Sequence, residues 1–159
     1  MIRLYEPRYD QAELIRLIRT ELIPMSHSVH QLDAQTIREL PKRFRQGITY
    51  VASLSKKSAP IAFIHFEVMG EVLYLDMMVT HTNHRNRGWG KKLMAYSEAY
   101  GQAQHCKIAR LFVDEINAKA HHLYNKLGYQ TVRYVPELRC YELLKPLPPL
   151  DHLSAISSH

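Results

Sequence analysis

The stretch Thr82–Leu93, TNHRNRGWGKKL, sets arginines, lysines and two glycines, Gly88 and Gly90, around the chain's only tryptophan, Trp89. A strand-like run, VLYLDMMV (Val72–Val79), ends just before it, and a helix-like run begins inside it. Glycine disfavours a helix, so a pair of them at a helix start needs another reason. The first turn of a helix carries unpaired N–H groups and the positive end of the dipole, and glycine lets a ligand come close to that backbone. With basic side chains on both flanks, the stretch reads as an anion site.

Two familiar glycine-rich turns do not fit it. A dinucleotide fingerprint needs a third glycine where Leu93 stands. A P-loop needs glycine at Arg85 and serine or threonine at Lys92. What remains is Arg85-x-x-Gly88-x-Gly90, between a strand and a helix.

Outward from this turn the periodicities alternate. Ile2–Glu6 reads as a first strand, and Leu14, Leu17, Ile18 and Leu22 recur at helical spacing over Asp10–Leu22, with Pro24 as the stop. Asp33 reads as the cap of a second helix through about Phe44. Three strands follow, Thr49–Ser53, Ile61–Val68 and Glu71–Val79, with a hairpin turn at Gly70–Glu71. The helix from Gly88 to Ala103 sets Trp89, Leu93, Tyr96 and Tyr100 on one face. IARLFVD (Ile108–Asp114) reads as a strand covered on both sides. Asn117 caps a helix that stops at Gly128, and Tyr129–Tyr134 and Leu138–Leu143 form a last hairpin across Pro136. The order β-α-α-β-β-β-α-β-α-β-β predicts an α/β domain, a mixed sheet with helices on both faces.

Composition narrows the function classes. A chain of 159 residues, 46% hydrophobic and 23% charged, is the size and make-up of one globular domain. No apolar run is long enough to span a membrane, and the N-terminus meets charge at once, which predicts a cytoplasmic protein. Cys106 and Cys140 form no spacing motif and read as reduced thiols. The net charge of +6 favours an anionic partner, yet no nucleic-acid recognition element accompanies it. KPLPPLDHLSAISSH, from Lys145, is proline-rich and then polar, which predicts a domain over residues 1–145 and a tail over 146–159.

A second signature lies downstream: NAKAHHLYNKLGYQ, Asn117–Gln130. Together with Arg85-x-x-Gly88-x-Gly90 it resembles the GNAT N-acetyltransferase superfamily, in element order as well as motif, over roughly residues 2–144. The resemblance implies a GNAT fold and transfer of an acetyl group from acetyl-CoA to an amine in a ternary complex, without a metal. It implies that the backbone of Met78, Val79 and Thr80 pairs with the pantetheine arm, and that the turn Arg85, Asn86, Arg87, Gly88, Trp89, Gly90 and Lys91 holds the pyrophosphate. Asn117 matches a residue contacting the cofactor beside its pantetheine, and Tyr124 matches the tyrosine that protonates the departing thiolate. Each of these two has a plainer reading, as a helix cap and as core packing. Trp89 stands where the superfamily carries a small aliphatic residue, so it either anchors the helix or borders the ligand.

An alkyl ammonium must lose its proton before it can attack. Strand alternation sets Tyr74, Asp76, Met78 and Thr80 on one face, which makes Asp76 the leading base, with Glu67 and Glu71 behind it. The alternative is a carboxylate that binds an arginine or a backbone amide. A backbone N–H near Val79 is the expected oxyanion donor. His27 and His30, like His81 and His84, have a spacing seen in metal sites but lack a third ligand; the first pair falls where an acceptor pocket is expected. His121 and His122 are adjacent on a helix and point apart. The acceptor is expected to be a small-molecule or peptide amine, with nucleic acid and membrane excluded as partners and a homodimer left open. A GNAT-fold module that senses acyl-CoA without turnover is the competing function.

Overall fold

The computed structural model describes residues 1–25 and 34–150. Its element order is the expected one: β1 (Ile2–Leu4), α1 (Pro7–Leu17), α2 (Ala34–Arg45), β2 (Ile48–Ala52), β3 (Ala62–Met69), β4 (Val72–Thr80), α3 (Trp89–Ala103), β5 (Ile108–Asp114), α4 (Ala118–Lys126), β6 (Gln130–Val135) and β7 (Cys140–Pro146). The seven strands form one sheet in the order β1-β2-β3-β4-β5-β7-β6. Every neighbouring pair is antiparallel except β4 and β5. A parallel pair needs a crossover, and α3 supplies it.

Two apolar layers sandwich the sheet. Leu14, Leu17 and Ile18 with Leu40 and Phe44 of α2 pack on Val51, Phe63, Met77 and Val79. On the opposite face Leu93 and Met94 of α3 and Tyr124 of α4 pack on Ile64, Leu73, Leu75, Leu111 and Leu143. Apolar burial of this extent, at about 25 cal/mol per Å², drives the sandwich together.

The first helix departs from expectation at both ends. It starts at Pro7, whose fixed φ suits the first helical position, and gives way at Ile18–Leu22 to a π-helical turn and at Ile23–Met25 to a 3-10 turn. The expected cap at Asp33 lies outside the described residues. On α3 the buried stripe is Leu93, Met94, Ser97 and Gly101, with Tyr96 exposed, so the helix is rotated about one position from the face predicted through Trp89 and Tyr100. β5 is covered by helices on one face only; Arg110 and Phe112 on the other are half-buried. Strand and core contacts continue past Lys145. Pro146 ends β7, Leu147 is buried in the core and donates its N–H to Lys107 O at 2.8 Å, and Gln102 donates to Pro148 O.

Candidate active site

The parallel pairing of β4 with β5 runs from Val72–Ile108 to Leu75–Leu111 and stops. Beyond that point the two strands go separate ways and leave a cleft between them. A β-bulge marks the same place. His65 of β3 pairs with Met77 and Phe66 with Leu75, so Asp76 is the extra residue with no partner opposite it.

The bulge exchanges the faces of β4. Leu73 and Leu75 point to the α3–α4 layer, whereas Met77 and Val79 point to the α1–α2 layer. The single face expected for Tyr74, Asp76, Met78 and Thr80 therefore breaks at Asp76. Its carboxylate meets Arg43 of α2, while Met78 packs toward α3. Simple alternation cannot anticipate this, because one inserted residue inverts everything after it.

The turn after β4 has the shape of an anion cradle. Asn86 and Gly88 take positive φ, 63° and 81°, a conformation costly for most side chains. Gly88 is the N-cap of α3 and no side chain caps the helix, so the amides of its first turn point outward unpaired. Gly90 has a different role: a Cβ there would lie 3.2 Å from Met78 Cε and 3.5 Å from Leu123, so glycine lets α3 settle closely on β4 and α4. Trp89 is half-buried, packs on the core and lines the groove. Lys92 Nζ sits 5.0 Å over its ring.

The Arg85 side chain is turned away from this cradle. Its guanidinium bonds Glu21 at 2.9 Å and Thr80 O at 3.3 Å, and Glu21 also accepts from Thr82 N and Oγ1. Burial alone would raise the Glu21 carboxyl, but these bonds and the Arg85 charge hold it below its ordinary value. Basic groups left at the turn are Arg87, Lys91 and Lys92, all exposed.

Three cavities meet around the cleft. A groove of about 290 Å³ follows Thr80, Arg85, Asn86, Gly88, Gly90 and Lys91. It joins a larger cavity of about 490 Å³ at Leu22, Met25, Met78, Asn117 and Ala120. Tyr124 stands in that cavity, 9% exposed, with its phenol pushed up to about 12 by burial. Asn117 does cap α4, its Oδ1 accepting from Ala120 N at 3.3 Å, and it lines both spaces as well. A third, polar cavity of about 450 Å³ opens between α2 and the β3–β4 hairpin, lined by Glu39, Lys42, Gln46 and Glu67 among others.

Asp76 sits where the large and polar cavities join. Its side chain is 6% exposed, and Arg43 takes both carboxylate oxygens, Nε on Oδ2 at 2.9 Å and Nη2 on Oδ1. Behind it lies His65, fully buried, with Nδ1 at 2.8 Å from Thr49 Oγ1 and Nε2 at 3.8 Å from Asp76 Oδ2. Burial pushes the His65 imidazole below its ordinary range; Asp76 opposes that and Arg43 adds to it.

Of the weaker sequence candidates, Glu67 lines the polar cavity, whereas Glu71 is exposed at the hairpin and paired with Lys107. His27 and His30 lie outside the described residues. His81 Nδ1 accepts from Asn83 N, and His121 Nε2 bonds Thr131 Oγ1. Sequence reasoning missed Glu21, Arg43 and His65. A histidine inside the apolar run AFIHFEV was the one available signal, a buried polar group in need of a partner.

A family model described as the acetyltransferase (GNAT) family matches residues 13–129. The chain belongs to the GNAT acetyltransferase family. Many solved structures share its fold. A GNAT-family acetyltransferase from Staphylococcus aureus Mu50 superposes with a TM-score of 0.75 at 16% identity, covering 93% of this chain and 99% of that one. Ard1 from Thermoplasma volcanium gives 0.75 at 17%, covering 93% and 97%. PaiA N-acetyltransferase from Thermoplasma acidophilum, solved in complex with coenzyme A, gives 0.72 at 16%, covering 92% and 98%. No curated protein matches the chain. Family membership assigns it to acyl transfer from an acyl-CoA cosubstrate.

Proposed function

We propose that this GNAT protein moves an acetyl group from acetyl-CoA to an amine by direct transfer in a ternary complex. The observation that carries the reading is the continuity of the groove. It leads from the uncapped amides of α3, past the freed edge of β4, into a cavity that holds Tyr124. In this reading residues 85–91 bind the pyrophosphate through backbone N–H groups, with Arg87 and Lys91 adding charge. The backbone of Met78–Thr80, where β4 has left β5, holds the pantetheine arm, and Asn117 borders it.

Tyr124 donates its proton to the departing sulfur. A phenol at about 12 is fully protonated near neutral pH, as a general acid must be. Val79 is paired with Phe63 in the sheet, so the neighbouring Met78 N–H, on the edge of β4 turned away from β3, serves as the oxyanion donor. Asp76 receives the acceptor's proton, directly or through a water, and the approaching ammonium competes with Arg43 for the carboxylate. The ion pair with Arg43 favours a second role for Asp76, fixing the pocket wall while solvent takes the proton. The two are separated by the pH dependence of an Asp76→Asn variant.

An acyl-CoA sensor would have no use for a proton donor inside the cavity, so Tyr124 supports turnover over sensing. Screening amines for acetyl-CoA-dependent thiol release, from polyamines and amino acids to peptide N-termini, tests the proposal. Release above the acceptor-free rate with any class supports transfer. Binding of acetyl-CoA without release across the whole panel supports the sensor instead.

A further inference from the structure

Four of the chain's six methionines, Met25, Met77, Met78 and Met94, line the large cavity. They come from the 3-10 turn after α1, from β4 on both sides of its faces, and from α3. Methionine is unbranched and polarisable, with three rotatable bonds, and fills irregular apolar space without fixing its shape. An acetyl group offers the site a single methyl, for which a close-packed wall would suffice. Instead the cavity spans about 490 Å³ and reaches inward to Leu75 and Leu111, where the strand pairing ends.

The neighbouring spaces show which part of a reaction this volume serves. The groove from the α3 turn enters at Met78, Asn117 and Ala120. The polar cavity enters elsewhere, at Leu40, Arg43, Tyr74 and Asp76, and it alone holds Glu39, Lys42 and Glu67. A charged amine finds its hydration replaced on the polar side. Two carboxylates, Asp76 and Asp114, line this cavity too, but Met25, Met77, Met78 and Met94 with Leu75 and Leu111 give it an apolar wall that suits an alkyl chain.

We propose that the acyl site takes straight-chain aliphatic acyl groups longer than acetyl, of about three to six carbons, by rearranging its methionines. The proposal rests on the acyl-CoA reading above. Each methylene moved from water into this cavity strengthens binding about fourfold.

Calorimetric titration of the wild-type protein with CoA, acetyl-CoA, propionyl-CoA, butyryl-CoA and hexanoyl-CoA tests it. Affinity is expected to climb about fourfold per methylene from acetyl to butyryl, with CoA as the baseline. Met94→Phe, which fills part of the volume with a stiffer side chain, is expected to lower the ratio of hexanoyl-CoA to CoA affinity. Its fold is checked by circular dichroism, and the wild-type series stands if the variant does not fold. Affinity that is flat or falling beyond acetyl, in protein that still binds CoA, overturns the proposal and leaves the acyl-CoA reading standing. Failure of folded protein to bind any of these CoA species overturns both.

Discussion

Tyr124→Phe separates the chemistry of this site from its packing. The ring stays, together with its edge-on contact on Tyr129 at 6.1 Å between centroids, and the lost hydroxyl belongs to a residue that lines the large cavity. No group among the described residues hydrogen-bonds that hydroxyl, so its removal strands no buried partner and stability should change by no more than about 1 kcal/mol. The barrier is another matter. Without an acid the sulfur must leave as a free thiolate, and general acid catalysis is worth roughly 10²-fold or more, about 2.7 kcal/mol. The expected result is a fall of about 10² in kcat with the KM for acetyl-CoA within about twofold of wild type. Thiol release followed with a chromogenic disulfide, using the best amine from the screen, reads both constants. Because the phenol lies at about 12, the wild-type rate should show no loss attributable to Tyr124 deprotonation up to about pH 10. Wild-type kcat in a folded Tyr124→Phe protein would remove the tyrosine from the mechanism. A joint rise in KM and loss of melting temperature would make it a packing residue.

Three further outcomes follow from particular contacts. Asp76→Asn should cost most near neutral pH and recover as alkaline pH deprotonates the amine, if Asp76 takes the proton; a loss constant with pH assigns it to the Arg43 wall. Gly88→Val places a β-branched residue at φ 81°, so a destabilisation of about 1–3 kcal/mol and loss of CoA binding are expected in denaturation and titration. His65 is held below its ordinary value by burial, so its folded pKa lies under the unfolded one near 6.5 and the unfolded chain binds the extra proton first. Its contribution to stability is therefore complete above about pH 6.5 and declines as pH falls toward the folded pKa, which urea midpoints at about pH 7.5 and about pH 5.5 would register. A His65→Gln protein with the same acid sensitivity would contradict the assignment.

The fold was legible because each element carried its own period and stop. Gly70, Gly88 and Gly128, all at positive φ, stand at the hairpin turn, the start of α3 and the end of α4. The shape of the turn at residues 86–90 was legible for the same reason: it is local, a run of consecutive residues. The acceptor side was not. Arg43 meets Asp76 across 33 residues of sequence, and Glu21 meets Arg85 across 64, through a π-helical turn that no periodicity announces. The bulge at Asp76 hid the rest, since it turns Met78 from the α2 side to the α3 side without a change in residue type. Gly90 was expected to let a ligand come close to the backbone; the groups that lie against it within the protein are the side chains of Met78 and Leu123.

The most direct measurement is the binding of coenzyme A itself at the turn where the sequence first pointed to an anion. Trp89 is the only tryptophan and borders the groove within the first turn of α3, so its emission reports on that turn. Titration with CoA and with acetyl-CoA should change that emission saturably, with calorimetry giving matching affinities. Dephospho-CoA should bind more weakly if Lys91 or Lys92 reaches the 3′-phosphate. Saturable binding of both CoA species, abolished in Gly88→Val, is the result expected of an acyl-CoA site at this turn; folded protein that binds neither by calorimetry would contradict it.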